Sequence, residues 1–256
     1  MTIEPGSDLY ACAQIVERGD PERFAAAMAS PVSARAVLFP LYAFNVEVSR
    51  APWVTQEPMI ARMRLQWWHD ALEEIAAGGF VRRHEVVTPL AQALAGVDPA
   101  PLMAAIDARE ADLDRAPFAD EAALLDYLEK TSGGIAVVAL IALGAPRERA
   151  SAALPIARGA ALARYLQAVP ELEARGKLPL PDGRPEALAQ LARRQLDDMP
   201  RGLRAQRRSL GAAGPALREF ALARPLLEVV ARDPAVVAEG RLQLSEFQRR
   251  WRLLLG

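Results

Sequence analysis

An all-α fold in a single domain is what this sequence predicts, and three observations predict it. Apolar residues recur at helical spacing along most of the chain; Ile60, Met63, Trp67, Ala71 and Ile75, for example, form one stripe at i, i+3, i+7 and onward. No segment alternates apolar and polar residues for more than a few positions, as a half-buried strand would. No polar or Gly/Pro-rich stretch is long enough to act as a linker between domains, so residues 1–256 read as one body of about ten helices.

Asp8–Arg18 forms the first short helix. Asp20-Pro21-Glu22 then supplies an N-cap, an N1 proline and an acidic first turn for a second, Glu22–Ala29, which Pro31 ends. Val32–Arg50 is predicted as a helix bent at Pro40. Ala51-Pro52-Trp53 and Glu57-Pro58 stop it and start the Trp67-Trp68 helix, because proline suits a helix's first turn and not its interior. Gly78-Gly79 closes that helix as a C-cap.

Val86–Ala95 and Pro99–Arg115 follow as helices. The second is expected to turn Met103, Ile106 and Leu113 inward and Asp107, Arg109, Glu110, Asp112 and Asp114 outward. Asp112 and Asp114 sit two apart, so on a helix they diverge by roughly 200° and read as a solvated face, not a metal motif. Glu121–Leu143 is predicted as one long helix, apolar nearly all round after Thr131 and therefore central. Gly133-Gly134 in its middle costs about 1 kcal/mol per glycine relative to alanine, to be offset by close helix packing or by room for a ligand.

Arg147–Val169 is another long helix, with Pro155 near its start. It runs into a charged, proline-rich extended segment, and Asp182-Gly183-Arg184-Pro185 marks a turn. Pro185–Arg208 and Pro215–Arg232 read as amphipathic helices, and Leu244–Leu255 closes the chain.

Composition narrows function mainly by exclusion. The net charge of −1 argues against a general nucleic-acid binder. Charge is unevenly spread, however: residues 193–252 hold 13 basic and 7 acidic side chains, a net of +6. Cys12 is the sole cysteine, which excludes an intramolecular disulfide and a cysteine-based zinc site. His69 and His84 are the only histidines, and neither sits in a metal or triad motif. The opening MTIEPGSDLY lacks the basic and apolar regions of a signal peptide, and the longest apolar run, Ile135–Ala145, is short of the ~20 residues a spanning helix needs. The expectation is a soluble cytoplasmic protein, peripheral to a membrane at most.

The stretch Phe39–Ile75 organises the rest. Asn45 and Glu47 lie in an apolar helix beside Tyr42 and Phe44, and polar groups there are costly if buried unpaired. Two readings stay open: they line a cavity, or they meet solvent or a neighbouring helix.

At Tyr42-Ala43-Phe44 the chain resembles the squalene/phytoene synthase family, whose members share the all-α isoprenoid synthase fold. The resemblance extends through the Asp20/Arg23/Phe24 entry, the Trp67-Trp68 helix, Tyr127 to Gly134, and Leu162 to Pro181. It implies a helical bundle around a central, mostly apolar cavity, with Tyr42, Tyr127 and Tyr165 on the surrounding helices. In active members, two acidic motifs hold Mg²⁺, which holds the diphosphates of two prenyl substrates; the metal wants oxygen ligands and the leaving group needs its charge neutralised. The positions matching the first motif, Asp-x-x-x-Asp, are Ser49 and Trp53, with Arg50 beside them. The second, Asp-x-x-Glu-Asp, is replaced by Ala168, Val169, Pro170, Glu171 and Leu172, so of the five acidic positions in the two motifs together only Glu171 remains.

The resemblance therefore assigns a ligand or cavity surface to Tyr42, Phe44, Asn45, Glu47, Ser49, Trp53, Tyr127, Thr131, Gly134, Tyr165, Ala168 and Glu171, with no catalytic residue and no metal ligand. Arg50, Arg164, Arg175 and Lys177 are candidates to bind phosphates directly, which would neutralise an anion without supplying Lewis acidity. Within the family the chain is most similar to the non-catalytic complex I assembly factor branch. The similarity lies in Ala-Phe-Asn-Val-Glu where Ala-Phe-Cys-Arg is usual, in the Arg64-x-Gln-Trp-Trp helix, and in the missing aspartates. The leading expectation is an assembly factor or scaffold for a respiratory complex, without cofactor. The rivals are a Mg²⁺-dependent prenyltransferase and an isoprenoid- or lipid-binding module.

A last expectation concerns the C-terminus. Leu244, Phe247, Trp251 and Leu254 fall on one helical face flanked by Arg249, Arg250 and Arg252. Such a face suits an anionic membrane or an acidic partner, unless Phe247 and Trp251 simply pack onto the bundle.

Overall fold

The structure, a computed structural model, describes residues 4–55 and 57–255. The first three residues of the opening decapeptide lie outside them. The described residues form fifteen α-helical segments joined by short 3₁₀ and π turns, with no strand among them. None of these helices is long and apolar enough to cross a membrane.

The first three helices follow their caps. Ser7 caps α1 (Asp8–Gly19) by accepting from the Tyr10 N–H at 3.2 Å. Asp20 does the same for α2 (Pro21–Met28), accepting from Arg23 N–H at 3.0 Å with Pro21 at the first position. The third helix, α3 (Val32–Arg50), continues through Pro40 and is buried along most of its length. It runs between α1, α2, α5 (Val87–Ala93) and α8 (Gly134–Ala142), which cover its apolar surface. A 3₁₀ turn, Ala51–Trp53, ends it, and α4 (Pro58–Ala77) starts on Pro58 and stops at left-handed Gly78.

Several predicted helices are broken where glycine, proline or a tight turn intervenes. Pro99–Arg115 is α6 (Ala100–Ala108) followed by a 3₁₀ turn, Arg109–Leu113. Glu121–Leu143 divides into α7 (Glu121–Leu128), a π segment Glu129–Gly133, and α8. The π turn widens the backbone, and Thr131 Oγ1 donates to the Tyr127 carbonyl at 2.8 Å. A Cβ on Gly134 would stand 2.7 Å from the Pro101 carbonyl oxygen, and one on Gly133 would stand 2.9 Å from Leu154 Cδ2. The glycines thus admit α6 on one side and α10 on the other. Helix packing accounts for both.

Arg147–Val169 is the short α9 (Arg147–Ser151) and then α10 (Leu154–Ala174), which runs on through Pro170. Tyr165 Oη donates to the Pro179 carbonyl at 2.7 Å and ties the extended segment after α10 back onto it. Pro185–Arg208 is α11 (Pro185–Asp198) and α12 (Leu203–Ser209), separated at left-handed Gly202. Pro215–Arg232 is a 3₁₀ segment, Gly211–Phe220, and α13 (Ala223–Arg232). A short α14 (Ala235–Ala238) precedes α15 (Glu246–Leu255). One apolar core joins these elements, from Leu9 on α1 to Leu253 on α15.

Candidate functional site

The two segments matched to acidic motifs meet at one end of the bundle. The exit of α3 brings Arg50, Trp53 and Val54 against the last turns of α10, which present Ala168, Glu171, Leu172 and Arg175. Together they line an open groove of about 400 Å³. Glu171 is the only carboxylate among these described lining residues, and it accepts from Arg175 Nη2 at 2.5 Å. The Arg175 guanidinium carbon also stands 5.3 Å from the centre of the Trp53 ring, in range for a cation–π contact. Arg50 is largely exposed, with Nη1 3.7 Å from Glu47. Ser49 is not among these lining residues; its hydroxyl donates to the Val46 carbonyl at 3.0 Å.

Two further grooves adjoin the first. Trp53 and Arg175 also border one of about 330 Å³ lined by Asp112, Asp114, Arg115 and Lys177. Arg50 and Val54 border another of about 390 Å³, with Glu47, Arg64, Trp67 and His84.

Asp112 departs from its expected place on a solvated face. It is buried, accepting from Tyr127 Oη at 2.8 Å and Arg109 Nη1 at 3.2 Å. The tighter step of the 3₁₀ turn rotates it off the outer face of α6 and toward α7. Burial, and then the Asp112 charge acting against the opposing pull of Arg109, hold the Tyr127 hydroxyl pKa well above its ordinary value. Tyr165 stands 6.2 Å from Tyr127 between ring centres, and Phe118 lies 5.1 Å from Tyr127.

The four cationic candidates take different roles. Arg50 and Arg175 face the groove. The buried Lys177 donates to the carbonyls of Ala111 at 2.6 Å and Asp114 at 2.9 Å, and burial lowers its pKa. Its ammonium is thereby committed to holding the 3₁₀ turn. Arg164 points elsewhere, bonding Glu219 at 2.9 Å. That glutamate is buried and also accepts from Arg23 Nε at 2.5 Å. Tyr42 belongs to this second cluster, with Arg23 5.3 Å from its ring centre. Burial raises its hydroxyl pKa strongly, and the Glu219 charge adds to that.

Phe44 is fully buried against Trp68, 5.6 Å away edge-on, and Asn45 is buried nearby on α3. Periodicity placed Asp112 and Arg109 on an outer face, where the structure turns both inward, and gave no signal for Phe118 or for Glu219 as the partner of Arg23 and Arg164, because each depends on contacts distant in sequence. One group of possible metal-binding side chains is present among the described residues, His69, Asp70 and Glu73 on α4. His69 and Asp70 are half-buried and Glu73 is exposed, and Asp70 already accepts from Gln66 at 2.7 Å.

The model of the squalene/phytoene synthase family matches residues 16–248. NADH dehydrogenase (ubiquinone) complex I, assembly factor 6 of Mus musculus is 29% identical over 180 residues, covering 69% of this chain and 54% of that protein. Its Homo sapiens counterpart is 28% identical over 189 residues, covering 69% and 53%. The chain thus spans about half the length of the curated relatives it matches. A dehydrosqualene synthase solved with a ligand superposes with a TM-score of 0.78 at 14% identity, over 96% of this chain and 94% of that one. A squalene synthase from Alicyclobacillus acidocaldarius gives 0.68 at 16% identity, over 91% and 94%. At such identities these two structures show a shared fold.

Proposed function

The chain belongs to the squalene/phytoene synthase family, and we propose that within it the protein is a non-catalytic member serving as an assembly factor or scaffold for respiratory complex I. The observation that carries this reading is the Trp53–Arg175 contact across the groove between α3 and α10. A Mg²⁺–diphosphate centre needs several oxygen anions converging there. The groove offers Glu171, already paired with Arg175, beside an indole and two guanidiniums. Asp112 in the adjoining groove is taken by Tyr127 and Arg109. This donor set does not fit Mg²⁺. It fits an anion better, which would be held without Lewis-acid activation.

The partner comes from the relatives, which carry the name of complex I assembly factors. An exposed apolar strip on α4, formed by Met59, Ile60 and Met63, is the kind of surface a scaffold presents to a client. Action at the inner face of the respiratory membrane, where such a client is built, belongs to the same proposal.

Two measurements test it. Purified protein with Mg²⁺ and farnesyl or geranylgeranyl diphosphate is expected to give no condensed product and no diphosphate release. Deleting the gene in its host is expected to reduce assembled complex I on native gels, and the wild-type gene is expected to restore it. Metal-dependent diphosphate release at enzyme-like rates would establish a prenyltransferase instead. A tightly bound prenyl ligand, with no turnover and normal complex I, would mark an isoprenoid-binding module.

A further inference from the structure

We propose that α15 docks the protein on an anionic phospholipid surface, with Phe247, Trp251 and Leu254 entering the headgroup layer and arginines of α12 and α15 meeting lipid phosphates. Sequence alone left open whether Phe247 and Trp251 pack inward. They do not: Phe247 is 74% exposed, Trp251 57% and Leu254 61%. The two rings stack on each other, with centres 6.0 Å apart and planes at 20°. Leu253 is the side chain that anchors the helix, buried at 4% exposure. Arg218 Nη1 fixes the same end, donating to the Leu253 and Leu254 carbonyls at 2.7 Å each. A cation on the open carbonyls of a helix C-terminus is stabilising. The outward face is therefore held in place while its apolar row stands in water.

The charge beside that row points to an anion. Arg218 lies close enough to Arg207 to depress its pKa, which burial, Arg218 and Arg204 together push down to about 10. The Nε atoms of Arg207 and Arg218 are both buried without a hydrogen-bond partner. Those two atoms are closed to an outside ligand, but Arg204 and Arg208 on the same helix are exposed, and neighbouring guanidiniums gain from a phosphate, which accepts from several at once. Arg250 and Arg252 on α15 are exposed, whereas Arg249 lies near Glu22 of α2. Glu246 neutralises some of this charge by accepting from Arg249 and Arg250.

A bilayer matches the arrangement better than other occupants do. The apolar row is a convex helix face, and aromatic side chains with adjacent arginines suit the headgroup boundary. A second copy would bring the same cationic cluster against itself. The inference is independent of the groove, since neither Trp53 nor Arg175 is involved.

Cosedimentation of the full-length protein with phosphatidylcholine vesicles, with and without phosphatidylglycerol, tests it. The wild type is expected to bind the anionic vesicles at low salt and to release as salt rises. Phe247→Ser/Trp251→Ser is expected to weaken binding about tenfold or more. Arg204→Gln/Arg207→Gln/Arg208→Gln is expected to weaken it about as much and to flatten the salt dependence. Brominated lipid should quench wild-type tryptophan fluorescence and leave that of Trp251→Phe unaffected. Thermal melts of all variants should show an intact fold. The proposal is overturned if the wild type ignores anionic vesicles at low salt, or if folded variants bind as it does. A wild-type dimer that Phe247→Ser/Trp251→Ser converts to monomer, with no vesicle binding, would assign the face to self-association and overturn it as well.

Discussion

Arg175 lies over Trp53, its guanidinium carbon 5.3 Å from the ring centre, so a side chain from the end of α10 closes on one from the exit of α3. The same arginine bonds Glu171 one helical turn earlier. Two positions that the family resemblance assigns to metal-binding carboxylates are thereby occupied by an indole and by an already neutralised acid.

The first prediction reverses that substitution. Replacing Ser49, Trp53, Ala168 and Leu172 together by aspartate should create measurable Mg²⁺ binding in titration calorimetry, where the wild type is expected to give none. Turnover of prenyl diphosphates should remain absent, because carboxylates placed without their supporting geometry bind before they catalyse. Trp53→Asp alone should lower stability by about 1–3 kcal/mol through the lost ring contacts. Full prenyltransferase activity in the fourfold variant would contradict this account.

Glu219 balances two arginines, of which Arg23 is almost fully buried. Glu219→Gln should cost about 3–5 kcal/mol in urea unfolding, because it strands buried positive charge. Glu171→Gln breaks an exposed pair of similar length, 2.5 Å with the glutamate side chain 68% exposed, and should cost less than about 1 kcal/mol. Equal effects would mean that the buried cluster is reorganised or hydrated.

Gly134→Ala should destabilise by about 1–3 kcal/mol, since the new methyl meets the Pro101 carbonyl oxygen at 2.7 Å and backbone cannot swing aside. Gly79→Ala, with nothing within 4 Å of the added carbon, should be close to neutral. Differential scanning calorimetry of the two variants separates a packing role for Gly134 from a merely conformational one.

Cys12 is fully buried, and its thiol pKa is pushed up from 9.0 to about 12, first by burial and then by Asp8 and Glu85. The native protein should therefore resist thiol reagents at pH 8 and react only on unfolding. The folded state keeps this proton where the unfolded chain has lost it. Stability is thus unaffected below about pH 9 and falls as pH rises from 9 to about 12, by roughly 1.4 kcal/mol per unit for this group alone. Cys12→Ala should remove that share of the alkaline slope, and rapid native labelling at pH 8 would refute the burial argument.

What the sequence determined by itself was local and periodic. The helical periodicity, the cap at Asp20, the proline start of α4 and its stop at Gly78 all depend on neighbours a few residues apart, although α4 buries Ala61, Leu65, Trp68 and Leu72 and leaves Ile60 and Met63 of the stripe exposed. The family resemblance was legible too, because it rests on motifs in order along the chain. Only the tertiary structure decided which partner each charged or aromatic group takes. Asp112 turned inward to Tyr127, Lys177 was committed to two carbonyls, and Arg164 went to Glu219 and away from the groove. Phe247 and Trp251, whose spacing on an amphipathic helix would equally suit a buried face, were left facing outward. The physical reason is range: backbone propensity and capping act within a turn or two, whereas burial and ion pairing depend on segments tens to hundreds of residues away, such as Arg23 and Glu219, which fold alone brings together.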